Sequence, residues 1–406
     1  MTAVLLAVAM MIGILSVATP ADAVVNTGTI IPTPSPSFAG NFLQAVSCTS
    51  STWCMAGGAR SGDQILIGFD NGTATELTNP NAGNMGRIWG LSCDSDTHCV
   101  AVGSQGSGNL SAQFVTQILE FDGAAWTLAT SPNLGAGDNE LISVSCTSAT
   151  SCVAVGRSNS GRQTYTAASQ TLAMTWDGTN WAIVNSPNIG AGDNELISVS
   201  CSSSTSCMAV GRSNSGIAPY TAATQTLAMT WDGTNWTIVN TPNIGAGDNR
   251  LASVSCTSPT SCIAVGDHDY FTASQSIAME WDGSNWTSMT GPIGTGNNQL
   301  TSVSCVSSTM CVAVGTSNMP SNSFPTINAI PLLATWDGAN WTEFAGPSST
   351  DAIYTYSVSC SSETACLVAG LVGFASKNLL IALSDKDISP TSTTTSSDPV
   401  APAFTG

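Results

Sequence analysis

Cations are what this sequence has least of. Eight Lys and Arg stand against 26 Asp and Glu, giving a formal net charge of −18 over 406 residues. So few cations cannot lay a phosphate-binding stripe, which argues against nucleic acid as a partner. An anionic membrane surface is disfavoured for the same reason. Histidine is nearly missing: His98 and His268 are the two. Neither stands in a triad context, so a nucleophile with its base has little to draw on. No Cys-x-x-Cys redox pair occurs, and no D-x-D-x-D-G calcium loop. Beyond the first 23 residues no apolar run is long enough to span a bilayer. Charged residues of both signs reach only 8%. Ser, Thr, Gly and Asn keep such a surface wet, as in a secreted β protein.

The ends support secretion. Residues 1–23 carry an apolar run followed by Ala21-Asp22-Ala23, a small-x-small cleavage pattern. The usual Lys or Arg before the run is missing, so either a signal peptide has its true start upstream or the segment is an uncleaved membrane anchor. Residues 388–406 are rich in Ser, Thr and Pro without apolar periodicity, and a disordered tail or stalk is expected there. Residues 24–387 remain for the folded body.

What is abundant is one cysteine spacing. All fourteen cysteines fall into pairs with five residues between them. The pairs are Cys48 with Cys54, Cys93 with Cys99, Cys146 with Cys152, Cys201 with Cys207, Cys256 with Cys262, Cys305 with Cys311 and Cys360 with Cys366. None is left over. Successive pairs begin 45 to 55 residues apart, and a unit of that length found seven times dominates every other signal. Zinc sites place cysteines two to four apart or add histidines at set spacing. An even count in a chain with a secretory N-terminus favours cystines instead. No metal and no cofactor are expected.

A second motif keeps the same beat. It reads FDGAAW at 121, WDGTNW at 176 and 231, WDGSNW at 281 and WDGANW at 336, with a worn copy, FDNGTA, at 69. Each unit then reads as strands. ELISVSC is a period-2 run, a Ser/Thr loop follows, and CVAVG returns, which makes a hairpin. QTLAMTW, an Asp-Gly turn and WAIVNSP make a second hairpin, because Gly supplies the positive φ such a turn needs. Four antiparallel strands per unit, small residues in the first two and bulky ones in the last two, predict a tapered blade. Seven units predict an all-β, seven-bladed β-propeller. The last unit lacks a fourth strand. The run at 28–34, with Pro34 standing in the register of Pro132, Pro187 and Pro242, is expected to supply it and close the ring.

The loops divide the candidate sites. The loop between the cysteines is constant, whereas the segment from the second cysteine to the turn acid varies from 16 to 26 residues. Variable loops on a rigid scaffold carry binding residues. Arg157 with Tyr165 and Arg212 with Tyr220 recur there, and Asp267, His268, Asp269 and Tyr270 form the densest polar cluster. These eight are the candidate ligand-binding residues, against the alternative that duplication simply copied the loops. No catalytic residue is assigned. Asp122, Asp177, Asp232, Asp282 and Asp337 recur too regularly for a catalytic set, and bonding to their own turn amides accounts for them. Asp138, Asp193 and Asp248, with Asn139, Asn194 and Asn249, sit in PN[IL]GAGDN loops and could serve calcium or only the turn. Asn-x-Ser/Thr sequons occur at Asn71, Asn109, Asn235, Asn285 and Asn340 and matter only in a host that glycosylates.

The SVSCTSxTSCxAVG and WDGTNW elements together resemble the secreted repeat proteins of actinobacteria with SCTSxxxC and W-[DN]-G-x-x-W motifs. The resemblance covers residues 26–387 and implies a propeller outside the cell, with no reaction attached. TWDGTNW is more distantly similar to the Asp-box of sialidase-type propellers, but one residue between Asp and Gly is missing and no arginine triad is assignable. Two functions are carried forward. One is a secreted or cell-surface, non-catalytic binding or scaffold module for glycan or protein, expected to be a monomer. The other is a glycan-acting hydrolase or lyase with its site at the mouth of the ring.

Overall fold

The computed structural model describes residues 28–34, 40–106, 113–135, 137–159, 168–213, 223–269, 274–289, 297–317, 329–373 and 377–388. They form seven four-stranded sheets, one for each cysteine pair. Blade three is representative: Glu140–Ser148, Ser151–Ser158, Gln170–Trp176 and Trp181–Val184 pair in that order, all antiparallel. The first strands of successive blades pack against one another right round the ring. They are therefore the inner wall, and the short fourth strands are the rim. The architecture is the seven-bladed β-propeller read from the repeat.

Ring closure follows the expected register. Thr29–Ile31 pairs antiparallel with Lys377–Ser384, the third strand of blade seven, with Thr29 opposite Ala382 and Ile31 opposite Leu380. Asn378 clamps the junction: its carbonyl accepts from the Thr33 hydroxyl and its amide donates to the Pro34 carbonyl. A single helical turn, Asp385–Ile388, follows the last strand. The Asp387 carboxylate accepts from Gly28 N and from Ser384 N and Oγ, so one side chain holds both ends. Ile388 is buried in the core shared by blades six and seven.

Neighbouring blades share apolar layers. Val153, Val155 and Ala173 of blade three pack with Leu196, Ala209, Leu227 and Met229 of blade four, and the same arrangement recurs round the ring. All seven cysteine pairs are cystines, as the spacing predicts. Cys48 is bonded to Cys54, Cys93 to Cys99, Cys146 to Cys152 and Cys201 to Cys207. Cys256 is bonded to Cys262, Cys305 to Cys311 and Cys360 to Cys366, and no free cysteine remains. Cys146 lies directly opposite Cys152 in the ladder, which is why five intervening residues suffice. The second cysteine of each pair is the more deeply placed: Cys54, Cys99, Cys152, Cys207, Cys262, Cys311 and Cys366 are all buried in the apolar layers.

The serines of SVSC join the blades. Ser145 Oγ accepts from Cys201 N of the next blade at 3.0 Å. The same bond runs from Ser47 to Cys93, Ser92 to Cys146, Ser200 to Cys256, Ser255 to Cys305, Ser304 to Cys360 and Ser359 to Cys48. All seven interfaces are thus bonded at the inner wall. A second tier uses Ser143, Ser198, Ser253, Ser302 and Ser357, each accepting from the backbone two residues before the next blade's first cysteine. Ala45 and Gly90 occupy the tier in blades one and two, where no hydroxyl is available.

Each first strand carries a bulge four residues before its cysteine, as between Leu141 and Ser143. The bulge presses that strand onto the second. A Cβ on Gly156 would lie 2.0 Å from the Glu140 carbonyl oxygen, which explains the glycine closing CVAVG.

Candidate functional site

The two faces of the ring differ in kind. On the cystine face both sequence motifs meet. The turn aspartates each accept two turn amides; Asp177 Oδ1 takes Thr179 N and Asn180 N at 2.8 Å. The bonds to Asn180 and Thr179 hold the Asp177 carboxyl below its usual range, and Asp122, Asp232, Asp282 and Asp337 behave alike. Trp176 Nε1 donates to Ala149 O in the cysteine loop, and Trp281 and Trp336 do the same in their blades. Trp176 and Trp181 face each other across the turn at 5.6 Å. Everything repeated on this face is therefore used to build it.

The opposite face is where the first strands begin, and repeat symmetry breaks there. Six residues before each first cysteine stand Phe42, Arg87, Glu140, Glu195, Arg250, Gln299 and Tyr354. Their cross-strand partners on the second strands are Ala59, Ser104, Arg157, Arg212, Asp267, Thr316 and Leu371. Together they ring the mouth of the inner wall. Blades three to five are ionic. Arg157 holds Glu140 at 2.6 Å and reaches into the next blade to Glu195 at 2.7 Å, while Arg212 takes the other Glu195 oxygen at 2.5 Å. Arg250 pairs with Asp267 at 2.6 Å.

Blades seven, one and two form a different arc. The Arg87 guanidinium lies over both Phe42 and Trp89, 5.3 Å from each ring, and Arg87 itself is exposed. Tyr354, Leu371, Ala352 and Ala329 make an apolar cluster with Phe42 and Tyr356 against it. Burial, then Tyr354, pushes the Tyr356 hydroxyl up to about 12, with Arg87 opposing. Trp89 and Tyr356 both occupy the bulge position, where the other blades carry Gln44, Ile142, Ile197, Ala252 and Thr301. Among the eleven tryptophans, Trp89 and Trp53 are the two outside the turn motif.

The candidate residues read from the sequence divide accordingly. Arg157 and Arg212 meet through Glu195 at the end of the second strands, and Asp267 stands at the equivalent position of blade five, paired with Arg250. His268 Nδ1 lies 3.0 Å from Asp269 Oδ2, just beyond. Asp269 has φ 56° and Asn159, its counterpart in blade three, φ 62°, so this left-handed exit from the second strand belongs to the repeat. Tyr165, Tyr220 and Tyr270 lie outside the described residues. The GAGDN acids tie the two variable loops together: Asp138 accepts from Phe114 N, Asp193 from Ser169 N and Asp248 from Thr224 N. Asn139, Asn194 and Asn249 each accept the amide five residues earlier. Among the described residues, no group of three or more His, Cys, Asp or Glu is gathered that could hold a metal ion. The reading of the sequence missed Phe42, Arg87, Trp89, Glu140, Glu195, Arg250, Tyr354 and Tyr356. Aligning the units on their cysteines is the signal that finds them.

The ionic arc is tightly coupled. Burial alone would raise Glu195, but Arg212 and Arg157 outweigh it and hold the carboxyl below its ordinary value. The sign is therefore fixed: the triad stabilises the fold above the ordinary carboxylate range and loses that as pH falls through the depressed value. With the Glu195 side chain 8% exposed and both arginines near 30%, Glu195→Gln takes from Arg212 its carboxylate and leaves Arg157 with Glu140 alone. A loss of about 2–3 kcal/mol is expected, read from the denaturant midpoint at neutral pH. The wild-type and variant curves should converge on acidification.

No protein family matches the sequence, and no curated protein matches it either. Solved structures do match in fold. The protein YCF48, bound to D1 peptide, is 13% identical with a TM-score of 0.55, over 88% of this chain and 97% of that one. The GH74 xyloglucanase from Xanthomonas campestris is 12% identical with a TM-score of 0.53, over 84% of this chain and 53% of that one. The WD40 β-propeller domain of Doa1 is 9% identical at 0.50, over 88% and 96%. This chain thus spans about half of the xyloglucanase. At these identities the likeness is one of fold, and all three contain β-propellers. Seven intrachain cystines point to an oxidising, extracellular environment. No helix among the described residues is long and apolar enough to cross a membrane.

Proposed function

We propose that the protein is a secreted or cell-surface, non-catalytic binding or scaffold module that takes glycan or protein ligands at the mouth of the ring, on the face with variable loops. The observation that carries this is the loss of repeat symmetry at one level of the inner wall. Two positions of the first strand, six and four residues before its cysteine, vary from blade to blade, and in blades seven, one and two they carry Phe42, Arg87, Trp89, Tyr354 and Tyr356. Aromatic and arginine side chains at the centre of a concave surface are the usual anchors of binding. Resemblance to the secreted actinobacterial repeat proteins fits the same reading, as does the N-terminal segment taken as a signal peptide.

Glycoside hydrolysis is the competing reading. It needs one carboxyl kept protonated and another ionised on either side of the bond. The mouth acids are instead ion-paired with arginines: Glu140 and Glu195 with Arg157, Glu195 also with Arg212, and Asp267 with Arg250. Glu195 in particular is held ionised by Arg212 and Arg157. A glycan and extracellular-protein array with a parallel aryl-glycoside screen separates the readings. Binding without turnover is expected, weakened roughly tenfold or more by Trp89→Ala. Turnover that Asp267→Ala abolishes would replace the module with an enzyme.

A further inference from the structure

One interface of the ring lacks its tryptophan wedge. Elsewhere the tryptophan that follows the Asp-Gly turn reaches back into the preceding blade. Trp181 of blade three shares a core with Val100, Val102 and Ile118 of blade two, and its Nε1 donates to Glu120 there at 3.0 Å. Trp126, Trp236, Trp286 and Trp341 enter the cores of their own preceding blades in the same way. Blade one carries Ala74 in that place, opposite Phe69 in the ladder as Trp181 stands opposite Trp176. Blade seven has Gly28, next in register to Thr29. A Cβ there would lie 2.7 Å from Ile381 Cγ2, and Ile388 is buried in the core between blades six and seven, so that place is already full.

Between blades seven and one the space is open: a cleft of about 300 Å³ lies there, part of it continuous with solvent. Its walls are the counterparts of residues that hold tryptophan elsewhere. Leu367 follows Cys366 as Val153 follows Cys152, and Val153 packs with Trp231 and Trp236 of the next blade. Ala382 lies opposite Leu367 as Glu120, the acceptor of Trp181, lies opposite Val100. Ser51 stands where Ala149 accepts from the Trp176 indole, and Phe69 stands where that indole would be. The exchange of Trp for Phe at 69 and for Ala at 74 removes ring volume from this one interface.

We infer that the cleft receives a tryptophan side chain from a partner protein, which completes the interface as the chain's own indole completes five others. Those five show which ring such surroundings accept. The size of the cleft decides between a side chain and a whole ligand. Small-molecule sites begin at about 300 Å³ and enclose most of their ligand. A cleft at that lower limit, open on one side, suits a single inserted ring whose backbone stays outside. The entrance lies between two cysteine loops, with Ser50 and Ser51 on one and Ser361 on the other. Ser51 is exposed, so these serines give an arriving backbone polar groups to meet. A tryptophan seated in an apolar pocket is a common anchor of protein interfaces. The site is on the cystine face, so it goes beyond the reading of the mouth and does not depend on it.

The test refills the cleft from within. Ala74→Trp rebuilds the Phe–Trp pair that blade two already has in Phe121 and Trp126, whose rings lie 5.3 Å apart. The intact, disulfide-bonded chain and this variant are titrated by calorimetry with the peptide Gly-Gly-Trp-Gly-Gly, with its Leu and Ala forms, and with free indole. The wild type should bind the Trp peptide roughly tenfold or more tightly than the Leu form, and free indole more weakly than the peptide. The variant should lose that binding while its thermal midpoint rises, because the added ring fills an existing cavity. Ala382→Leu narrows the cleft from the opposite wall and should weaken the Trp peptide in the same direction, so the site stays testable if one variant does not fold. Equal binding of the three peptides, or binding that survives either folded variant, overturns the site. Free indole binding as tightly as the Trp peptide overturns the partner chain and makes the ligand a small aromatic. A wild type that binds none of the probes overturns the inference outright.

Discussion

Reduction of the seven cystines is expected to unfold the protein at ambient temperature. Each closes a short hairpin loop, and constraining it in the unfolded chain contributes about 2.3 kcal/mol by the chain-entropy estimate, or about 16 kcal/mol for seven. The net stability of a folded domain is of order 5–15 kcal/mol. The first strands explain the dependence. Their inward layers are Ser, Val and Ala, which bury little apolar area per residue, and the inter-blade bonds of the SVSC serines add only modest net stability each. Far-ultraviolet circular dichroism with and without reductant under native conditions is the measurement. A single pair, Cys146→Ala with Cys152→Ala, should cost about 2 kcal/mol, and pairs in blades that do not touch should add. An unfolding curve indifferent to reductant would show that the cystines follow the fold rather than support it.

Removal of residues 24–36 should have the next largest effect, on the order of 5 kcal/mol. Ile31 is 7% exposed and joins a core made by blades seven and one, with Leu43, Ile67, Leu367 and Leu380. Its burial contributes about 2 kcal/mol, and the ladder, the Asn378 clamp and the Asp387 bonds supply the rest. A second consequence is a new edge. Lys377–Ser384 would lose its partner, exposing the ladder of a strand whose Leu379, Leu380 and Ile381 are buried. The truncated chain should therefore melt earlier and also associate, as seen by light scattering. A peptide of residues 28–34 added in excess should reverse part of both effects. A truncated chain with an unchanged midpoint would mean that the ring closes without its N-terminal strand.

The fold was legible because it is written seven times. A cysteine pair, an Asp-Gly turn and two period-2 runs are local signals, and repetition separates them from chance. Closure was legible for the same reason: a missing fourth strand at one end and a spare run in the matching register at the other are both countable. The mouth was not legible in the same way. Arg157, Arg212 and Asp267 stood out as polar residues at the start of variable loops, and the structure does place them at the mouth. What they do there depends on Glu140, Glu195 and Arg250, which lie 17 residues earlier in each unit and looked like ordinary strand starts.

The sequence by itself determined the blade count, the four strands of each blade, the cystines, the role of the turn aspartates and the strand that closes the ring. Each of these is decided within one unit or by counting units. The tertiary structure alone decided which residues of different blades meet. The serines of SVSC bond across blades, Arg157 spans two of them, and the arc from Tyr354 through Phe42 to Trp89 draws on blades seven, one and two. Those contacts join residues from 38 to 56 positions apart, or at opposite ends of the chain, and form only when the inner strands converge on one axis. Periodicity along a strand specifies a face, but the curvature of the whole ring decides what that face meets.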